Sequence, residues 1–181
     1  MHKNAINQKS AVIFHRTFSI IPKNQKRNPL SSLAFNYIVN LLARREYSEF
    51  EIRNKMQEKA FSEEEIDQAI AQCQAKNWQS DRRFAENYLN SRAQKGYGAI
   101  RIRQELRQLK GVSSEIIDET LMETEVDWYE MAENLLRKKF PDYADLQTPK
   151  MKQKMWQYMM SHGFRSDEFA DLIGNGNSDW D

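Results

Sequence analysis

Between residues 82 and 110 the chain carries Arg82, Arg83, Arg92, Lys95, Arg101, Arg103, Arg107 and Lys110 against only Glu86 and Glu105. Cations clustered in this way recognise anions, either carboxylates on a protein or phosphates of a nucleic acid. Residues 113–133 invert the pattern, with Glu115, Asp118, Glu119, Glu123, Glu125, Asp127, Glu130 and Glu133 and no Lys or Arg. Positive charge returns at Arg137, Lys138, Lys139, Lys150, Lys152 and Lys154. Over 181 residues, 27 Lys and Arg offset 26 Asp and Glu, so banding rather than net charge describes the electrostatics. The candidates for contact with a partner are Arg92, Lys95, Arg101, Arg103, Arg107, Lys110, Lys150, Lys152 and Lys154.

Catalytic chemistry finds no matching constellation. The histidines His2, His15 and His162 are scattered, and His162 precedes Gly163 at a helix end, where a cap or dipole role is expected. Glu63, Glu64 and Glu65 form an acidic first helical turn rather than an acid–base pair. Gly96-Tyr97-Gly98 lies between helical runs with no strand before it, so it is not a dinucleotide fingerprint, and no P-loop occurs. Cys73 is the one cysteine, which excludes an intramolecular disulfide and suits a reducing cytoplasm. The expectation is a cytoplasmic binding protein, a monomer without enzymatic activity, cofactor, metal or membrane span.

The elements that must position these residues are helices, since Gly and Pro are few and apolar residues recur at helical spacing. Residues 1–30 read as a basic flexible arm; an organellar presequence is the competing reading, disfavoured by Pro22, Pro29 and several Asn. Beyond it, Leu33, Tyr37, Ile38, Leu41 and Leu42 form a first stripe. Ser48 with Glu51, and Ser62 with Glu65, have capping-box spacing and start two further helices. The pattern then repeats. Ala43 overlays Ala93, Tyr47 overlays Tyr97, Ile52 overlays Ile102 and Met56 overlays Leu106. With one inserted residue, Phe61, Ser62, Ile66, Asp67 and Ile70 fall on Val112, Ser113, Ile117, Asp118 and Leu121. A looser third copy holds Trp128–Lys139, a helix begun by Thr148-Pro149, and Phe164, Phe169 and Ile173. The fold expected is all-α: three tandem three-helix repeats over 31–78, 79–125 and 126–174, stacked as an elongated, curved solenoid-like array, with a polar tail at 175–181. A compact bundle is the competing arrangement.

Helical phase places Ala99, Ile102, Leu106 and Leu109 on one face, expected to be core. Arg103, Arg107 and Lys110 share one flank, and Arg101 lies on the other beside Gln104 and Gln108. Each cation has two uses open to it, an internal salt bridge to the acidic helix that follows or contact with a partner. Tyr97, like its repeat mate Tyr47, is expected to pack into an inter-helix corner.

The run SRAQKGYGAIRIRQEL at Ser91–Leu106, followed by Gly111-Val112-Ser113 and the acidic helix, resembles the signature of the RecX family of bacterial recombination regulators. Leu41–Met56 resembles that family's first repeat and Trp78–Ala85 its second-repeat entry. The similarity spans about residues 33–174, excludes the arm and is least specific in the third repeat. It implies a cofactor-free protein that binds the RecA nucleoprotein filament, hinders its growth and so restrains ATP hydrolysis, strand exchange and the SOS co-protease role, with weak direct DNA contact in some members. The alternative is a stand-alone DNA-binding protein of helix-turn-helix type, which Arg103 and Arg107 flanking the core and the near-neutral total charge disfavour.

Overall fold

The structure, a computed structural model, describes residues 29–145 and 148–174. Among these the chain is helical throughout. The first unit contains α1 (Pro29–Leu42), α2 (Glu49–Gln57) and α3 (Glu63–Ala75), and the second α4 (Asp81–Gln94), α5 (Ala99–Gln108) and α6 (Ser114–Glu123). The third contains α7 (Trp128–Lys139), α8 (Pro149–His162) and the short α9 (Ala170–Ile173), which a 3-10 turn at Ser166–Glu168 precedes. The readings of an arm before residue 29 and of a tail after residue 174 lie outside the described residues.

Serine hydroxyls start four helices of the first two units. Ser48, Ser62, Ser80 and Ser113 each accept the backbone N–H three residues on, which satisfies one of the donors a helix N-terminus leaves free. Ser62 and Glu65 complete the expected capping box. Ser48 and Glu51 do not: the hydroxyl caps Glu51 N at 3.1 Å, but the Glu51 carboxylate turns to Arg45 at 2.9 Å and Lys110 at 2.7 Å. A charge-assisted pair wins over a neutral backbone donor.

Each unit closes its own core. Ala34, Ile38, Ile52, Met56, Ile66 and Ile70 pack in the first, Phe84, Leu89, Ile102, Leu106 and Ile117 in the second, and Leu136, Met155, Met159, Phe164 and Phe169 in the third. Each large side chain so buried is worth about 1.5–3 kcal/mol over exposure. Trp128, the first residue of α7, packs against both the second and the third core. Some phase assignments shift. Leu33 is exposed and Ala34 takes the core position, because the buried stripe of α1 runs Ala34, Ile38, Leu41. Leu109 is exposed as well, because α5 stops at Gln108; Val112, past the turn, is buried in its stead. Ala99 is half-buried, and in α6 Thr120 is buried while Leu121 is half-buried.

Polar contacts join the units. Between the first and second, Asp81 Oδ1 accepts from Glu49 N at 2.7 Å and from Gln79 Nε2 at 2.8 Å. Arg83 meets Glu46 at 3.0 Å, and Lys110 meets Glu51 at 2.7 Å. The second and third units meet end to end. Gly98 N donates to His162 O at 2.9 Å and Ile100 N to Gly163 O at 3.1 Å, so the last carbonyls of α8 cap the first turn of α5. Gly98 is the N-cap of α5 and has no side chain to do this itself. The backbones approach too closely for a Cβ on either side: one built on Gly98 would lie 2.5 Å from Phe164 N, and one on Gly163 would lie 2.5 Å from Arg101 N. Gly163 also has φ +84°, the left-handed conformation that ends α8.

Candidate functional site

The candidate cations divide into two sets. Arg92 and Arg101 converge on Glu105, through Nε–Oε2 at 2.7 Å and Nε–Oε1 at 3.1 Å, and the Tyr88 hydroxyl donates to the same carboxylate at 3.0 Å. Burial pushes the Glu105 carboxyl up, but the hydrogen bonds from Arg92, Arg101 and Tyr88 outweigh it and leave it below the ordinary glutamate range. Tyr88, half-buried and donating to that carboxylate, is pushed up to about 12. The Arg92 and Arg101 guanidinium groups also lie over the Tyr97 ring, 3.8 and 4.5 Å from its centroid. Tyr97 stacks on His162 of the third unit, centroids 5.8 Å apart, and His162 Nδ1 lies 2.8 Å from the Tyr158 carbonyl. Tyr97 thus occupies the corner between units, and His162 closes a helix end.

Arg103 pairs with Asp118 of the acidic α6, and Lys110 with Glu51 of the first unit. Glu51 repeats the logic of Glu105: burial raises its carboxyl, yet hydrogen bonds from Arg45 and Lys110 hold it below the ordinary value. Arg92, Arg101 and Lys110 therefore have structural duties inside the protein. Arg103 is bound at the surface, where a salt bridge is worth at most about 1 kcal/mol and exchanges readily for another anion.

The second set is free. Arg107, Lys95, Lys150 and Lys154 are exposed and Lys152 is half-buried, and none has an ion pair or hydrogen-bond partner among the described residues. They do not form one patch. Arg101 touches the last turn of α8 through Ser161 O at 3.2 Å, whereas Lys150, Lys152 and Lys154 stand on its first two turns. From position 150 to 161 the axis runs about 16 Å, so α8 separates two basic regions. Among the described residues, no group of three or more His, Cys, Asp or Glu is placed to hold a metal ion, and no helix is long and apolar enough to cross a membrane.

The sequence reading missed three features. Glu105 was counted only as an interruption of the basic run; its four-residue spacing from Arg101 was the available signal. The contact of Gly98 with Gly163 is tertiary and has no local signature. The exposure of Leu109, which with Ile100 and Met160 lines one groove between the second and third units, was hidden by a phase argument that assumed α5 ran on.

Family models match all three units: RecX, first three-helix domain, over residues 34–73, the second over 80–121 and the third over 125–172. The chain is 83% identical over 152 residues to regulatory protein RecX of Haemophilus influenzae strain KW20, a match covering 84% of this chain and all of that protein. It is 65% identical over 150 residues to regulatory protein RecX of Mannheimia succiniciproducens, covering 83% of this chain and 98% of that one. Among solved structures, the fold resembles RecX from Lactobacillus salivarius with a TM-score of 0.70 at 20% identity, covering 82% of this chain and 97% of that one. A second crystal structure of regulatory protein RecX gives a TM-score of 0.68 at 24% identity, over 80% of this chain and 71% of that one.

Proposed function

The chain belongs to the RecX family of regulatory proteins, and from that premise we propose that it binds RecA-type recombinase filaments in the cytoplasm and restrains their growth and ATPase, strand-exchange and SOS co-protease activities without catalysing a reaction. One observation carries the reading: the matched family domains coincide with three helical units, each with its own core. The charge distribution supports it. Arg107 with the exchangeable Arg103 on α5, and Lys150, Lys152 and Lys154 on α8, offer two separated basic regions to a partner that repeats acidic surface or phosphate along its length. The cations engaged inside the protein contribute differently: Arg92 and Arg101 brace the second unit through Glu105, and Lys110 ties it to Glu51 of the first.

The test is a titration of purified protein into RecA turning over ATP on single-stranded DNA. Suppression at amounts below one protein per RecA is expected. No effect at equimolar protein overturns the reading, and sequence-specific duplex binding without RecA favours the helix-turn-helix alternative.

A further inference from the structure

Where the end of α4 meets the last two turns of α7, a cleft of about 380 Å³ opens between the second and third units. Gly96 sets the approach. A Cβ built on it would lie 2.9 Å from Leu135 Cδ1, and its φ of +82° is the left-handed conformation that turns the chain out of α4. Lys95, its neighbour, and Lys138, one turn beyond Leu135, both line the cleft, together with Gln94 and Asn134. Asn134, Leu135 and Lys138 share one face of α7 by their three- and four-residue spacing. Both lysines are exposed, and neither has an ion pair or hydrogen bond among the described residues; the two side-chain amides have no hydrogen bond there either. No acid lines this cleft. Others differ: the cleft between α4 and α6 holds Glu86, Glu123 and Glu125, the groove between α5 and α8 holds Arg101 already paired with Glu105, and the hollow beside Arg45 holds Glu46.

We propose that this cleft binds backbone phosphates of a nucleic-acid strand, with Lys95 and Lys138 meeting the phosphate charge and Gln94 and Asn134 donating to phosphate oxygens. The site uses neither Arg107 nor the lysines of α8, and it does not rest on the filament reading. The helix ends leave the charge in excess: Lys95 caps α4 and Lys138 stands in the last turn of α7, but a helix C-terminus carries about half a negative charge, so both ends together answer about one of the two cations. The side chains present favour phosphate over carboxylate. Carboxylates are matched by the planar fork of arginine, and protein–protein interfaces are depleted in lysine, whereas lysine serves phosphate as a point charge. Here both cations are lysines. No aromatic ring lines the cleft to stack a base, so the contact positions a strand without reading its sequence.

The test uses the full-length chain as wild type, as Lys95→Gln with Lys138→Gln, and as Lys95→Arg with Lys138→Arg. Each is measured, without recombinase, for binding to two single-stranded oligonucleotides of unrelated sequence over a range of salt, to a polyglutamate peptide and to inorganic tripolyphosphate, and for melting temperature. Wild type is expected to bind both oligonucleotides alike. The glutamine variant should bind them more weakly by on the order of fivefold to tenfold, with melting unchanged and the slope of log K against log salt shallower by about 1.4, about 0.7 for each of two phosphate contacts. The arginine variant, which keeps the charge, should retain the wild-type slope. Wild type that binds neither oligonucleotide, or a glutamine variant with wild-type affinity and slope, overturns the proposal. A lower melting temperature with DNA binding unchanged assigns the lysines to the helix ends alone. Polyglutamate bound more tightly than DNA, and lost in the glutamine variant, assigns the cleft to an acidic protein segment. Tripolyphosphate bound as tightly as the oligonucleotides assigns it to a small free anion. Each of these three results also overturns the proposal.

Discussion

Replacing Gly98 by alanine tests the end-to-end contact between α8 and α5. The added Cβ would lie 2.5 Å from Phe164 N and closer still to the Gly163 carbonyl, against backbone that no rotamer change can move. Ordinary contact requires nearly 1 Å more, so the two chains must separate. The bonds from Gly98 N to His162 O and from Ile100 N to Gly163 O, at 2.9 and 3.1 Å, are then lost. Two neutral hydrogen bonds are worth together about 1–3 kcal/mol, and alanine is also the poorer N-cap. That free energy couples the third unit to the second, and its loss corresponds to a ratio of roughly 5–150 in an equilibrium constant. The assay is amide hydrogen exchange resolved by residue. The amide of Ile100 and those of α8 should exchange faster by a factor in that range, while α1–α3 keep their protection. Ser113→Ala serves as the contrast, because it removes a cap of about 1 kcal/mol within the second unit without touching the contact. Unchanged exchange at Ile100 and through α8 in the Gly98→Ala protein would refute the role given to this contact.

Leu106, fully buried in the second core, should cost about 2–5 kcal/mol when cut to alanine, and an unchanged denaturation midpoint would remove it from the core. Charge reversal separates two neighbours: Arg103→Glu sets a carboxylate against Asp118 and should lower the melting temperature by a few degrees, whereas Arg107→Glu should leave melting unchanged and weaken RecA inhibition. The opposite ranking in paired melting and ATPase measurements would reverse their assignments. Glu51 and Glu105 titrate below the ordinary glutamate value of 4.5, so the unfolded chain takes up their protons first as pH falls. Their contribution is complete above that pH and disappears as pH drops through the lowered folded values, so Glu105→Gln should flatten acid unfolding below pH 4.5, which urea titrations at several pH values will show.

Helix starts were legible because they depend on a few adjacent residues. Ser62 declares itself through a hydroxyl, the glutamate three residues on and the helical spacing that follows. Buried stripes were legible while the helix lasted: Ile102 and Leu106 are core, but Leu109 follows the same spacing past the point where α5 stops. Where tertiary partners compete with local ones, spacing fails. Glu51 has the offset of a capping box, yet Arg45 and Lys110, the latter from another unit, take its carboxylate. The charge bands held two populations: the four-residue spacing to Glu105 marks Arg101, but Arg103 and Arg107 look alike until the tertiary fold places Asp118 beside one of them.

The separate cores bear on how the chain emerges from the ribosome. All the side chains that close the first core, from Ala34 to Cys73, lie within one short stretch, and none waits for a residue of α4 or beyond. Helical units with such local contacts fold in microseconds to milliseconds, while synthesis proceeds at roughly 5–20 residues per second. Translating the roughly 100 residues after Cys73 therefore takes on the order of 5–20 seconds. The first unit can finish folding long before Lys110 arrives to meet Glu51, and the nascent protein is built as finished modules that latch in order, with little apolar surface ever left waiting.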